Sequence, residues 1–369
     1  MKDLIAYRHN LHRIPELAFE EFKTQRYLLA ELKIFPLIAI HCADRTGIVV
    51  EYQQGSGPFT LFRADMDALP VTESTGCSFV STHPGLMHAC GHDMHMAILL
   101  GLIKRITTAR LPGNFLFVFQ PAEESKGGAS YLLASHILDA YDIDAVYGLH
   151  VSGSLPVGTV GSRPGPFFAA TREVDIHFSG IAAHMAYSQR GINALAAATW
   201  FYQEWRRIAQ NYSSQEVICD FGRMQAGTVR NVLADSATLE GTIRTFDPDI
   251  QKEICHLLEH AAEETNQKYH TTSAISYPLD YQMVNNDPAI FNRFLTTIQT
   301  APWQFSHAQP VMTGEDFGYF TNRWPGLLFW LGADDGSHHD LHSPDFLPAD
   351  DALAVGVDIF YRIAQEVSR

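Results

Sequence analysis

Apolar runs of the buried-strand type alternate with helical patterns through the first half of the chain. Thr46 to Tyr52 and Phe59 to Ala64 read as strands separated by a Gly-Ser-Gly-Pro turn. Asp93 to Arg105 predicts a helix, Asn114 to Phe119 a strand, Gly127 to Leu138 a helix, and Ala145 to Leu149 another strand. Strands of this kind interleaved with helices point to an α/β layer structure. In open α/β sheets, ligands bind beyond the carboxyl ends of the strands. The pattern puts Asp65, Glu123 and His150 just past three such ends, and His92 at the start of a helix.

From about Pro166 the pattern changes. Glu173 to Phe178 alternates as a strand, Asn193 to Ala209 is helical, Val217 to Met224 and Ala237 to Arg244 are strands, Pro248 to Gln267 is helical, and Thr272 to Tyr277 is a strand. That βαββαβ order is the split, ferredoxin-like unit. After about Gln282 the chain returns to the first pattern: a helix over Asp287 to Thr300, a short apolar strand over Gly326 to Gly332, and a closing amphipathic helix over Ala352 to Val367. His342 lies in the loop between the last two. The expected organisation is a two-domain α/β protein, with residues 1–166 and 282–369 forming the catalytic, metal-binding domain and 167–281 an inserted α+β domain.

Composition narrows the function classes. With 369 residues, 46% hydrophobic and 18% charged, the chain is an ordinary globular protein long enough for two cores. A formal charge of −15 disfavours nucleic acid and anionic lipid as partners; Arg206-Arg207 reads as a solvated helix face. Met1 to Asn10 lacks the apolar core of a signal peptide, and no apolar run approaches membrane-spanning length. Five cysteines at 42, 77, 90, 219 and 255 form no disulfide framework and fit a reducing compartment, the cytoplasm.

The chemistry concentrates in His88-Ala89-Cys90-Gly91-His92-Asp93, joined by Glu123-Glu124, His150 and His342. A thiolate with a nearby imidazole, completed by distant carboxylates and imidazoles, suits one or two catalytic divalent ions. The run by itself also fits a buried small cysteine among ordinary polar histidines, since the chain holds 18 His.

Further segments match one pattern: RADMDALP at 63–70, MHACGHDMHMA at 87–97, FQPAEES at 119–125, GLH at 148–150, GTIRTF at 241–246, MTGEDFGYF at 312–320 and LHSPDF at 341–346. In this order they resemble the amidohydrolase branch of the M20 metallopeptidase superfamily. The resemblance implies an α/β/α catalytic domain with a zinc-peptidase-like sheet and an inserted lid through which the protein forms a homodimer. It further implies two divalent ions (Zn, Mn, Co or Ni) held by Cys90, His92, Glu124, His150 and His342, with Glu123 as general base. One of Asp65 and Asp67 is expected to orient a ligating histidine; Asp65 ends a predicted strand, whereas the wider superfamily pattern favours Asp67. His88 and His95 read as structural or supporting residues. His184 in AAHMAYS stands where the lid supplies a histidine to stabilise the oxyanion, commonly across the dimer. Ala183 and Ser188 depart there from the usual glycine and proline. Arg244 is expected to clamp a substrate carboxylate, or else to be a strand residue paired with an acid such as Glu240. Asn231 adds a polar contact, and Glu315 supports the site or is a loop charge.

The opening segment YRHNLHRIPELAFEEFKTQRYLL resembles the members of that branch that act on N-acetyldiaminopimelate. The implied reaction removes acetate from N-acetyl-LL-2,6-diaminopimelate, a small-molecule N-acetyl amino acid. The alternatives are a broader amidohydrolase acting on hippurate or indoleacetyl amino acids, and a metal-binding protein without catalysis.

Overall fold

The computed structural model describes residues 2–43, 45–212 and 216–368. The chain divides into two compact units: residues 2–167 with 284–310 and 315–368, and residues 168–283 with 311–314.

The first unit is built on an eight-stranded sheet. Its spatial order is Ala39–Cys42, Ile48–Gln53, Asn114–Gln120, Phe59–Asp65, Ile143–Pro156, Gly326–Asp334, Thr159–Ser162 and Gln304–His307. The four central strands, from Asn114–Gln120 to Gly326–Asp334, run parallel. Phe59–Asp65 and Asn114–Gln120 are buried at every position, as a sheet covered on both faces requires. One face packs on the helices His92–Ala109 and Asp351–Val367; the Phe62 ring meets Phe360 edge-on at 5.1 Å. Burying each such ring contributes roughly 1.5–3 kcal/mol. Arg63, the next residue on the strand, leaves that apolar cluster and bonds to Gln120 and Asp316.

Two local expectations differ from the structure and a third feature, the helix at Glu123, is not anticipated by the pattern; each bears on the site. The strand expected at Ala145 to Leu149 extends over Ile143–Pro156, so His150 lies within it, paired opposite Trp330. Glu123 and Glu124 lie in a short helix, Glu123–Lys126, entered from a left-handed Ala122. The helix expected over Gly127 to Leu138 ends at Ala134, and a left-handed His136 separates it from a 3-10 turn at Ile137–Ala140. Periodicity carries no signal for such single-residue reversals.

The second unit has the βαββαβ order. Its antiparallel sheet runs Thr272–Ser276, Ala170–Ser179, Ser236–Thr245, Val217–Ala226, the ferredoxin-like arrangement. The helices Ala194–Ala209 and Pro248–Tyr269 bury Phe201, Trp205, Ile254 and Leu258 against Val174, Ile176, Phe178 and Leu239. Asn193 and Asp247 cap the helices, accepting N–H bonds from Ala196 and from Asp249 and Ile250. Val311–Gly314 joins this unit, with the Ala169 N–H donating to the Val311 carbonyl at 3.0 Å. Among the described residues no helix is long and apolar enough to cross a membrane.

Candidate metal centre

Gly91 lets two site segments touch. Its φ is +83°, and a Cβ there would lie 2.4 Å from Cγ2 of Val151. Only glycine allows the turn carrying Cys90 and His92 to lie against the strand carrying His150. The His342 N–H donates to the Ala89 carbonyl at 2.8 Å, which ties a distant loop to the same turn.

The ring nitrogens are then sorted by their backbone partners. Nδ1 of His150 donates to the Val151 carbonyl at 2.8 Å, and Nδ1 of His92 to the Asp67 carbonyl at 2.9 Å. A carbonyl can only accept, so Nδ1 of each ring carries a proton and Nε2 is the nitrogen turned to the site, where a bound cation would take its lone pair. Nε2 of His150 and Nε2 of His342 each lie 3.3 Å from Cys90 Sγ. Glu124 Oε1 is 3.5 Å from Nε2 of His342 and 3.8 Å from Nε2 of His92. Two donor triplets result, Cys90-His92-His150 and Cys90-Glu124-His342, each with its donor atoms within 4.8 Å of one another. They share the Cys90 sulfur.

The donor set fits a cation. His92 Nε2 and Glu124 Oε1 are buried without a hydrogen-bond partner, a costly arrangement unless another group meets them. The charge balance agrees. Burial, then Glu124 and Glu123, push the Cys90 thiol up. Burial, then Glu315, Glu124 and Asp316, push Glu123 well above the usual carboxylate range. Against burial, Asp65 and Asp67 hold the His92 imidazole protonated up to about 10. A cluster this rich in carboxylates calls for positive charge, and a bound cation would leave the thiol ionised.

Asp65 and Asp67 divide the supporting work. Asp67 accepts the N–H of Glu123 through Oδ1 and that of Glu124 through Oδ2, both at 3.0 Å, and its Oδ1 lies 3.5 Å from Nδ1 of His92. Asp65 accepts from His95 Nδ1, while His95 Nε2 accepts the Val151 N–H at 2.9 Å. His95 thus has no nitrogen left for a metal, although its ring crowds His92 and Asp65. His88 is buried, and burial pushes its imidazole down to about 3.

Beneath these groups lies a buried strut that sequence reasoning missed. Arg63 donates to Gln120 at 2.8 Å, Asp65 at 2.7 Å and Asp316 at 2.8 Å, and lies 3.1 Å from Glu315. Gln120 and the Ala129 N–H also donate to Asp316. The sequence signal was a lone arginine inside an apolar strand, which must find acids once buried.

The remaining candidates belong to the second unit. His184 is exposed, bridges to Val232, and accepts the Ala186 N–H at its Nδ1. The Met185 N–H donates to the Asn231 carbonyl, so those two loops are neighbours. Arg244 donates to the Met312 carbonyl at 2.9 Å and makes no ion pair among the described residues; Glu240 pairs with Arg223 instead.

Comparison with known proteins agrees with this chemistry. Residues 61–366 match peptidase family M20/M25/M40. The chain is 38% identical over 362 residues to the N-acetyldiaminopimelate deacetylase of Shouchella clausii, covering 97% of this chain and 96% of the relative. It is 37% identical over 367 residues to the enzyme of that name from Bacillus subtilis strain 168, covering 97% of each. Among solved structures, the Bacillus subtilis YxeP protein, a dinuclear metal-binding peptidase of the M20 family, is 31% identical with a TM-score of 0.84 over 99% of this chain and 98% of that one.

Proposed function

We infer the reaction from one premise, that this chain belongs to peptidase family M20/M25/M40: it is a metal-dependent hydrolase that removes acetate from N-acetyl-LL-2,6-diaminopimelate. The observation that carries hydrolysis is the pair of unpartnered buried donors, His92 Nε2 and Glu124 Oε1, beside Cys90, His150, His342 and a buried Glu123. The substrate rests on nearly full-length similarity to enzymes named N-acetyldiaminopimelate deacetylase.

Cys90, His92, Glu124, His150 and His342 would hold two divalent ions, in keeping with the two triplets that share one sulfur. Sulfur, imidazole and carboxylate donors suit Zn, Mn, Co or Ni. When bound, such ions would polarise the acyl carbonyl and lower the pKa of a water towards neutral pH. Glu123 takes that proton as the water oxygen bonds to the acetyl carbon. As the C–N bond breaks, Glu123 returns the proton to the leaving nitrogen, giving acetate and the free amine. His184 stabilises the developing oxyanion from the lid of a dimer partner, Arg244 grips a substrate carboxylate, and Asn231 adds a polar contact.

Dimerisation is supported by apolar side chains exposed on the second unit, among them Ile181, Met185, Tyr187, Leu195 and Val229. Sedimentation should give a dimer; a fully active monomer would exclude His184 acting across an interface. Five unpaired cysteines fit work in the cytoplasm.

The deciding assay measures kcat/KM for N-acetyl-LL-2,6-diaminopimelate and for hippurate on protein reconstituted with each ion in turn. Preference for the first supports the assignment. Preference for hippurate shifts it to a broader N-acyl-amino-acid hydrolase. No acetate release from metal-replete protein with any N-acetyl amino acid would mean a metal-binding protein without catalysis.

A further inference from the structure

The helix Glu123–Lys126 is entered through Ala122, whose backbone is left-handed with φ 58° and ψ 41°. A residue with a Cβ is held in that conformation only when its surroundings over-determine it. The Ala122 methyl is buried with Ala18 and Phe19. The Ala122 N–H donates to Glu21 Oε1 at 3.0 Å. The same oxygen accepts the Phe19 N–H at 3.0 Å, and Glu21 Oε2 accepts the Thr46 hydroxyl at 2.5 Å.

Glu21 is fully buried and stands at the N-cap of the helix Phe22–Leu32, yet its side chain caps none of that helix's N–H groups. It is spent on a turn about a hundred residues away instead. With Asp67 on the next two amides, two carboxylates from separate segments hold the N–H groups of residues 122, 123 and 124 in succession. Burial raises the Glu21 carboxyl to about 7, against the Thr46 hydroxyl and the Phe19 N–H, whose bonds favour the carboxylate.

We propose that Glu21 is a positioning residue, which locks the left-handed turn at Ala122 and thereby aims the Glu123 carboxylate at the reacting water. Without it, Ala122 relaxes toward the right-handed region and the Glu123 side chain swings. Displacements of about 1 Å at a reacting group cost on the order of a hundredfold in rate. The inference rests on Glu123 as the base.

The test uses full-length, metal-loaded protein, with kcat and KM for N-acetyl-LL-2,6-diaminopimelate, bound metal per chain and thermal midpoint measured for each variant. E21A should lower kcat about 10- to 100-fold, with KM and metal content within about threefold of the parent. E21Q keeps Oε1 as the acceptor for both N–H groups and should retain kcat within about threefold. A122G makes the left-handed turn cheap, so E21A/A122G should recover much of the loss. Unchanged kcat in E21A overturns the proposal, as does an equal loss in E21Q, or a fall in kcat that only follows lost metal. If E21A does not fold, T46V removes one bond that aims the carboxylate: a several-fold lower kcat at full metal content supports the lock, and an unchanged kcat overturns it. E123Q keeps the two readings apart. Turnover surviving in E123Q defeats the base itself, whereas turnover lost in E123Q with full kcat in E21A defeats only the lock.

Discussion

Asp65 accepts the Nδ1 proton of His95 at 2.5 Å, and the other nitrogen of that ring accepts the N–H of Val151, the residue after His150. The His150 ring in turn donates to the Val151 carbonyl. One residue, Val151, therefore sets the aim of His150 through its carbonyl, and His95 holds that residue by its N–H. Asp65 acts at two removes from His150, and Arg63 fixes Asp65 from below at 2.7 Å.

His95→Ala leaves the Val151 N–H and the Asp65 carboxylate without their buried partner. Stability should fall by about 2–4 kcal/mol, read by urea denaturation. Metal affinity, read by chelator competition, should fall about 10- to 100-fold. Unchanged affinity would mean that His150 is aimed without its neighbour's N–H being held.

Glu123→Gln should lower kcat by about 10²- to 10⁴-fold with metal content nearly intact, since the amide cannot take the proton of the attacking water. Metal analysis of the purified variant checks this. Loss of metal would make Glu123 a ligand and not the base.

A pH effect on stability follows from His12. Against burial, Asp93 and Glu73 hold its imidazole protonated up to about 9, above its ordinary 6.5. The folded chain keeps a proton that the unfolded chain releases near 6.5, so this contribution is whole below that pH and is lost as pH rises through 9. It amounts to at most about 3 kcal/mol. The urea midpoint should fall between pH 7 and 9, and His12→Gln should flatten that fall. An equal fall in the variant would show that the proton sits elsewhere.

Gly128→Ala should be severe, because a Cβ there would lie 1.7 Å from the Pro121 carbonyl oxygen, inside the turn that carries both glutamates. Either the turn opens or the strand end moves. A loss above about 3 kcal/mol in thermal or urea unfolding is expected, together with a lower kcat. A variant with parental stability would mean that this turn is far more pliable than its packing indicates.

Much of the fold was legible because burial imposes a period. The second unit's strands alternate and its helices repeat along one face, so their order could be read along the chain. In the first unit, the run Phe59 to Ala64 reads as a buried strand through Phe59, Leu61, Phe62 and Ala64. The helices Lys2–His12 and Phe22–Leu32 are not among the elements the pattern predicts; the first has a weak apolar face, with buried Arg8 and His12 bonded to Asp93 in place of an apolar stripe. The left-handed residues Ala122 and His136 left no trace in periodicity, because one reversed residue changes direction without changing the pattern.

By itself the sequence determined which atoms were available: a sulfur at 90, imidazoles at 92, 150 and 342, and paired carboxylates at 65 and 67 and at 123 and 124. It also carried the order of the elements that bear them, since residue type and hydrophobic period are local properties. Tertiary structure alone decided what each atom faces. It set Asp67 beneath the two glutamates and Asp65 behind His95, used both His95 nitrogens on protein partners, and left His92 Nε2 and Glu124 Oε1 bare. The reason is physical: a ring nitrogen or carboxylate oxygen takes its role from the partner that satisfies it. Those partners come from segments far apart in the chain, brought within a few ångströms only when the sheet and its helices close.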